Sequence, residues 1–105
     1  MTESDQGAST LAIRPYEAGD RSALLALWRV SDLIRKWNDP AADIERWLGA
    51  ENATILVGLL ERELVASIAV GHDGHRGWLY YLAVKPALRK RGHGRALVAA
   101  AEDWL

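Results

Sequence analysis

Lys85, Arg89, Lys90, Arg91 and Arg95 are five of the chain's 13 Lys and Arg residues, and no acid interrupts them. Gly92 and Gly94 stand among them. An apolar run, Trp78 to Val84, leads into this stretch, and a helical pattern, Ala96 to Leu105, leads out. A strand, a glycine turn and a helix in that order gather free backbone N–H groups and a positive dipole end at one point. Phosphate oxygens suit such a point. Glycines let the backbone approach a pyrophosphate and tolerate unusual dihedral angles. Arg89, Arg91 and Arg95 offer charge-assisted hydrogen bonds to the same oxygens. Pro86 has no N–H, so it ends the strand ladder and turns the chain toward the helix. The whole chain has a formal net charge of −1, so this cationic cluster sits on an otherwise acidic protein.

Two familiar phosphate loops do not fit. A Walker loop needs Gly-Lys-Ser/Thr, and nothing after Gly94 supplies it. A dinucleotide fingerprint needs glycine or alanine where Leu97 stands. What remains is Arg89-x-x-Gly92-x-Gly94, preceded by Val84-x-Pro86 and followed by Ala96-Leu97. This resembles the acetyl-CoA signature of the GNAT superfamily of N-acetyltransferases, Arg/Gln-x-x-Gly-x-Gly/Ala. The strand Leu82-Ala83-Val84-Lys85-Pro86 that leads in also resembles that family. The competing reading of the six residues alone is a solvated basic turn capping an ordinary helix.

Composition sets the bounds. With 105 residues, half of them hydrophobic, the chain makes one domain with a real core. It has no cysteine, which excludes disulfides, thiolate metal sites and a cysteine nucleophile, and is compatible with a reducing cytoplasm. His72, His75 and His93 lack a helical metal-ligand pattern, so no metal is expected. Residues 1–10 read as a polar, disordered leader, with the domain at 11–105. No apolar run reaches membrane-spanning length.

The elements that must position the loop follow in order. Leu11 to Tyr16 reads as a short strand, with Pro15 placing it at an edge. Gly19-Asp20 reads as a turn and N-cap, followed by a helix from Arg21 to about Val30 with Leu24, Leu27 and Trp28 on one face. Ser31 to Trp37 continues that helix or starts another, with Leu33, Ile34 and Trp37 as its apolar side. Asp39-Pro40 restarts a helix with Ile44, Trp47 and Leu48 on its face, and Gly49 ends it. Thr54–Leu60 and Leu64–His72 read as strands joined through Glu61-Arg62-Glu63, their apolar runs implying a sheet covered on both faces. Asp73 to Gly77 is a second turn, Trp78–Val84 the third strand of the meander. From Gly92 a helix runs to the end, with Leu97, Val98, Ala101, Trp104 and Leu105 inward.

This order is also the front half of the GNAT fold. The resemblance implies an α+β, three-layer α/β/α architecture and covers Leu11 to Leu105. It is nearest to small bacterial, RimI-like members. The family continues beyond the coenzyme-binding helix, so the later half of the domain is expected to be missing here. The implied activity is direct transfer of an acetyl group from acetyl-CoA to a primary amine of a peptide, protein or small molecule. The resemblance gives main-chain groups of Leu82, Ala83 and Val84 to pantetheine, with one N–H polarising the thioester carbonyl. It gives Arg89, Lys90, Arg91, Gly92, His93, Gly94 and Arg95 to the pyrophosphate.

Acid and base are left open among Glu61, Glu63 and Tyr81, with Asp73, His72 and His75 as alternatives. Tyr80 and Tyr81 should alternate across the strand, so that at most one faces the cleft. Trp28, Trp37 and Trp47 are assigned to the core, with an acceptor pocket between the first two helices as the minority use. Two other readings stand beside the enzyme. One is a truncated, inactive domain that binds CoA or a partner chain. The other is a nucleic-acid module using residues 85–95, against which the acidic remainder argues. Uncovered strands also imply self-association through a sheet edge, as a homodimer.

Overall fold

The computed structural model describes residues 11–31 and 40–105. The expected leader, the continuation from Asp32 to Trp37 and the Asp39 cap lie outside the described residues. In chain order the elements are β1 (Ala12–Pro15), a 3-10 turn (Ala18–Asp20), α1 (Arg21–Val30) and α2 (Pro40–Gly49). Then come β2 (Ala53–Leu60), β3 (Glu63–His72), β4 (Gly77–Val84), a 3-10 turn (Pro86–Leu88) and α3 (His93–Trp104). The four strands form one antiparallel sheet in the order β1-β2-β3-β4. The architecture is α+β, as the spacing of the apolar residues implies.

Two cores hold the layers together. On one face α1 and α2 place Leu24, Leu27, Trp28 and Ile44 against Ile55, Val57, Ala69 and Ala83 of the sheet. On the other face α3 places Leu97 and Ala101 against Leu56, Ile68, Val70 and Val84. Successive side chains of a strand point to opposite faces. Ile55 and Val57 therefore serve one core while Leu56 between them serves the other, which is why β2 is nearly all apolar. Leu24, Leu27 and Trp28 recur at helical spacing and are almost fully buried. Each such side chain contributes about 1.5–3 kcal/mol by leaving water. Trp104 and Leu105, expected to face inward, are 37% and 50% exposed, so the inward stripe of α3 is carried by Leu97 and Ala101. Among the described residues no helix is long and apolar enough to cross a membrane.

Asp20 does not cap α1 with its side chain, contrary to the sequence expectation. The preceding 3-10 turn runs straight into the helix, so the carboxylate turns back instead. Its Oδ2 accepts the Glu17 backbone N–H at 2.7 Å and Arg14 Nη1 at 2.7 Å, while Oδ1 accepts Arg14 Nη2 at 3.0 Å. The pair ties the end of β1 to the start of α1. The Arg14 guanidinium, more than the bond from Glu17, holds the largely buried Asp20 carboxyl below its ordinary range. Since the folded pKa is depressed, the unfolded chain binds the proton more readily. This stabilisation is complete above the usual aspartate range and is lost as pH falls through the depressed value. Asp20→Asn should therefore lower the melting temperature at neutral pH, and the gap to the parent should close on acidification. A gap that stays constant down the acid limb would contradict this.

Candidate active site

The β3–β4 ladder carries an irregularity that the sequence does not announce. Ser67 lies opposite Ala83 and Ala69 opposite Tyr80, so β4 spends Tyr81 and Leu82 against Ile68 alone. Tyr81 sits at φ 57, in the left-handed region. This is a β-bulge, and a bulge breaks the alternation of side chains. Tyr80 and Tyr81 consequently do not alternate: both turn toward the layer of α1 and α2. The Tyr80 ring meets Trp47 edge-on at 5.5 Å, and Tyr81 stacks on Trp28 with centroids 4.3 Å apart and planes 13° from parallel. The Tyr81 hydroxyl donates to Asp43 Oδ2 at 2.7 Å. Burial first, and then the bond to Asp43, pushes this phenol up to about 12, so it stays protonated at neutral pH.

Beyond the bulge the backbone of β4 divides its hydrogen bonds between two sides. Lys85 N–H donates to Val65 C=O at 2.9 Å, and Ala83 stands opposite Ser67. Along a strand the backbone groups of alternate residues point the same way. Ala83 and Lys85 thus face β3, while Leu82 and Val84 aim their N–H and C=O groups at the free edge. Arg89 Nε takes up the Val84 carbonyl at 3.2 Å.

The chain then turns. Pro86 opens the 3-10 turn, and Leu88 N–H donates to Lys85 C=O at 2.8 Å. Lys90 and Gly92 adopt φ 68 and φ 86, which brings the chain round to start α3 at His93. The helix's first internal bond is Ala96 N–H to Gly92 C=O, at 3.0 Å. The N–H groups of His93, Gly94 and Arg95 are therefore not spent within the helix. A Cβ at Gly94 would stand 3.9 Å from Leu82 Cδ2 and from Val84 Cγ2, so the helix start faces the end of β4 closely.

These features surround one open groove of about 400 Å³. Leu82, Val84, Arg89, Lys90, Gly92, His93, Gly94 and Arg95 line it, with Leu88 and Val98 as added apolar wall. Ala83 is buried beneath the strand, and Arg91 is exposed outside the lining. His93 is 7% exposed, and its Nε2 is buried with no hydrogen-bond partner. Lys85 leaves the cationic group to pair with Glu63. That pair lies at a second, larger depression of about 610 Å³ between α1 and the start of β3. Glu63 is thus placed away from the groove, and Glu61 occupies the β2–β3 turn at φ 49. His72, Asp73 and His75 sit at the opposite end of β4, where Asp73 Oδ1 accepts the N–H groups of His75 and Arg76 at 2.9 Å each.

Three residues act on the bulge, and the sequence reading missed that role for each of them. Asp43 holds the Tyr81 hydroxyl, Trp28 stacks on its ring, and Ser67 accepts Trp28 Nε1–H at 3.0 Å. Trp28 was assigned to the core, with an acceptor pocket as its minority use, and not to the bulge. Asp43 and Ser67 lie 38 and 14 residues from Tyr81 along the chain, and only the fold brings them together.

A four-strand antiparallel sheet with a glycine turn at the exit of β4 and a helix behind it defines a class. The acetyltransferase (GNAT) family model matches residues 22–105, and the chain belongs to that family. It is 44% identical over 95 residues to an acetyltransferase of Pectobacterium atrosepticum, covering 90% of this chain and 67% of that protein. An acetyltransferase of Sodalis glossinidius is also 44% identical over 95 residues, with the same coverage. The chain therefore spans about two thirds of the length of these relatives. Among solved structures, AAC(6')-Iy in complex with a bisubstrate analogue, CoA-S-monomethyl-acetylneamine, superposes with a TM-score of 0.76. The identity is 21%, over 91% of this chain and 71% of that one. The PaiA N-acetyltransferase of Thermoplasma acidophilum, in complex with coenzyme A, gives a TM-score of 0.72 at 17% identity, over 90% of this chain and 70% of that one. At such identities these structures speak for the fold.

Proposed function

We propose that this acetyltransferase holds acetyl-CoA in the groove at the end of β4 and passes the acetyl group directly to a primary amine. The observation that carries the reading is the convergence of unspent backbone donors. Leu82 and Val84 offer N–H groups at the sheet edge, and His93, Gly94 and Arg95 offer theirs at the start of α3, all around one groove. The α3 donors and the helix dipole take the pyrophosphate, with Arg89, Lys90 and Arg95 at the rim. The edge of β4 takes pantetheine, and the Leu82 N–H polarises the thioester carbonyl where negative charge develops during attack.

Direct transfer suits a chain without cysteine, since no acyl-enzyme thioester is available within it. Tyr81 serves neither as base nor as acid in this reading, because its proton is committed to Asp43. Glu61 and Glu63 are likewise not used at the groove. A homodimer through a sheet edge would use β1 or the Gly77 end of β4, because the Leu82–Val84 end is given to the coenzyme. The reading places the enzyme in the cytoplasm, with which a chain without cysteine is compatible.

The test separates coenzyme binding from a nucleic-acid site built on the same cations. Arg95→Ala removes a cation that lines the groove and should weaken CoA by about 1.5–3 kcal/mol, the worth of a hydrogen bond to a charged group. Arg91→Ala removes one outside the lining and should cost CoA binding clearly less. Titrations of CoA and of an oligonucleotide at two salt concentrations check both. Strong oligonucleotide binding with a steep salt slope, equal losses for the two variants and no CoA binding by the parent would overturn the reading.

A further inference from the structure

Ser67 is fully buried in the middle of β3, directly beside the place where β4 bulges. Its Oγ is 3.0 Å from Trp28 Nε1 and 3.4 Å from the Tyr81 carbonyl oxygen. An indole N–H can only donate, so the serine oxygen is the acceptor in the first bond. The one hydroxyl proton is then free for the second, and it points at Tyr81 C=O. The second bond is long, as hydrogen bonds around a reacting centre often are before substrate tightens them. The Tyr81–Leu82 peptide is trans, so its C=O and N–H point in opposite directions. With the carbonyl drawn toward Ser67, the Leu82 N–H is turned away from β3, to the free edge.

We propose that Ser67 is a positioning residue for the thioester carbonyl, acting through the Tyr81–Leu82 peptide. The proposal rests on the acetyl-CoA reading above. The relay runs from Trp28 N–H to Ser67 O–H, from Ser67 to Tyr81 C=O, and from Leu82 N–H to the acetyl oxygen. Every donor in it points the same way, and donation to an amide carbonyl strengthens the N–H on the far side of that amide. The relay also answers a need of the bulge. A bulged residue falls out of the ladder, so its peptide has no strand partner to set its orientation. The stacking of Trp28 on Tyr81 and the Tyr81–Asp43 bond hold the side chain of the bulge, whereas Ser67 holds its peptide plane.

The experiment uses the full-length protein and acetyl-CoA carrying ¹³C at the thioester carbonyl, read by infrared difference spectroscopy without an acceptor amine. In the parent, the bound carbonyl band should move to lower frequency than in free acetyl-CoA. Ser67→Ala should lose about half or more of that displacement, while calorimetric affinity for acetyl-CoA stays within about threefold, since one peptide is loosened and the phosphate contacts are untouched. Trp28→Phe keeps a ring on Tyr81 but removes the donor that orients the hydroxyl. It should give a smaller loss, and it carries the test if Ser67→Ala does not fold. A parental displacement in folded Ser67→Ala, or in Trp28→Phe where the alanine variant fails, overturns the relay alone. A parent that does not bind acetyl-CoA overturns both the relay and the reading beneath it.

Discussion

Gly92→Val should reduce CoA affinity about a hundredfold, whereas Gly94→Ala should leave it within a few-fold. The two glycines are alike in sequence and different in structure. Gly92 adopts φ 86, and a Cβ built there meets nothing within 4 Å, so its requirement is conformational. A side chain in the left-handed region costs about 1–2 kcal/mol, and a β-branched one more. Relieving that strain moves the start of α3 and with it the N–H groups of His93, Gly94 and Arg95. Each misplaced donor to a charged ligand adds about 1.5–3 kcal/mol, so a total near 3 kcal/mol, or two factors of ten, is a modest expectation. Gly94 has no positive φ, and its Cβ would rest in ordinary contact with Leu82 and Val84. Alanine fits there and favours the helix. Calorimetric titration of CoA into both variants, with circular dichroism to show that each is folded, decides the matter. The reverse ranking would contradict the account of the loop.

Trp28→Ala is expected to cost about 3–5 kcal/mol of stability, the range for truncating a large buried aromatic. Trp28 is 1% exposed, stacks on Tyr81 and donates to Ser67, so its loss opens a cavity and unpins the bulge at once. Against a total of about 5–15 kcal/mol for a domain, that approaches the margin. Trp47→Ala should cost less: that side chain is only partly buried, although it donates to Val70 C=O at 3.1 Å. Val30→Ala, on the exposed side of α1, should change little. Urea denaturation of the three variants checks the order, and a Trp28→Ala loss no greater than that of Val30→Ala would refute it.

Most of the layer structure was legible because apolar period carries it. Leu24, Leu27 and Trp28 mark α1 at helical spacing, and the doubly apolar runs of β2 and β3 announce a sheet covered on both faces. The glycine turn was legible because a strand, Pro86, two glycines and a helical pattern follow one another in order, whereas its six residues alone match by chance in many chains. The bulge at Tyr81 was not, since one extra residue in a strand leaves no trace in hydrophobic pattern and Tyr carries no preference for the left-handed region. That single residue put Tyr80 and Tyr81 on one face instead of two. The direction of the Asp20 carboxylate was also hidden, because capping α1 and turning back to Arg14 look the same in sequence. His93 was read as part of the pyrophosphate segment and as a histidine outside any metal pattern, and nothing in the sequence announced that its side chain is buried.

The central claim is that the end of β4 and the start of α3 form one coenzyme groove. Titration of acetyl-CoA into the ¹⁵N-labelled full-length protein tests it most directly, by the movement of assigned backbone amide signals. The account predicts saturable shifts concentrated at Leu82, Val84 and Gly92 to Arg95, with α1 and the β2–β3 turn at Glu61 and Arg62 largely unmoved. Saturable shifts centred on the depression between α1 and that turn, or no saturable shift at all, would contradict it.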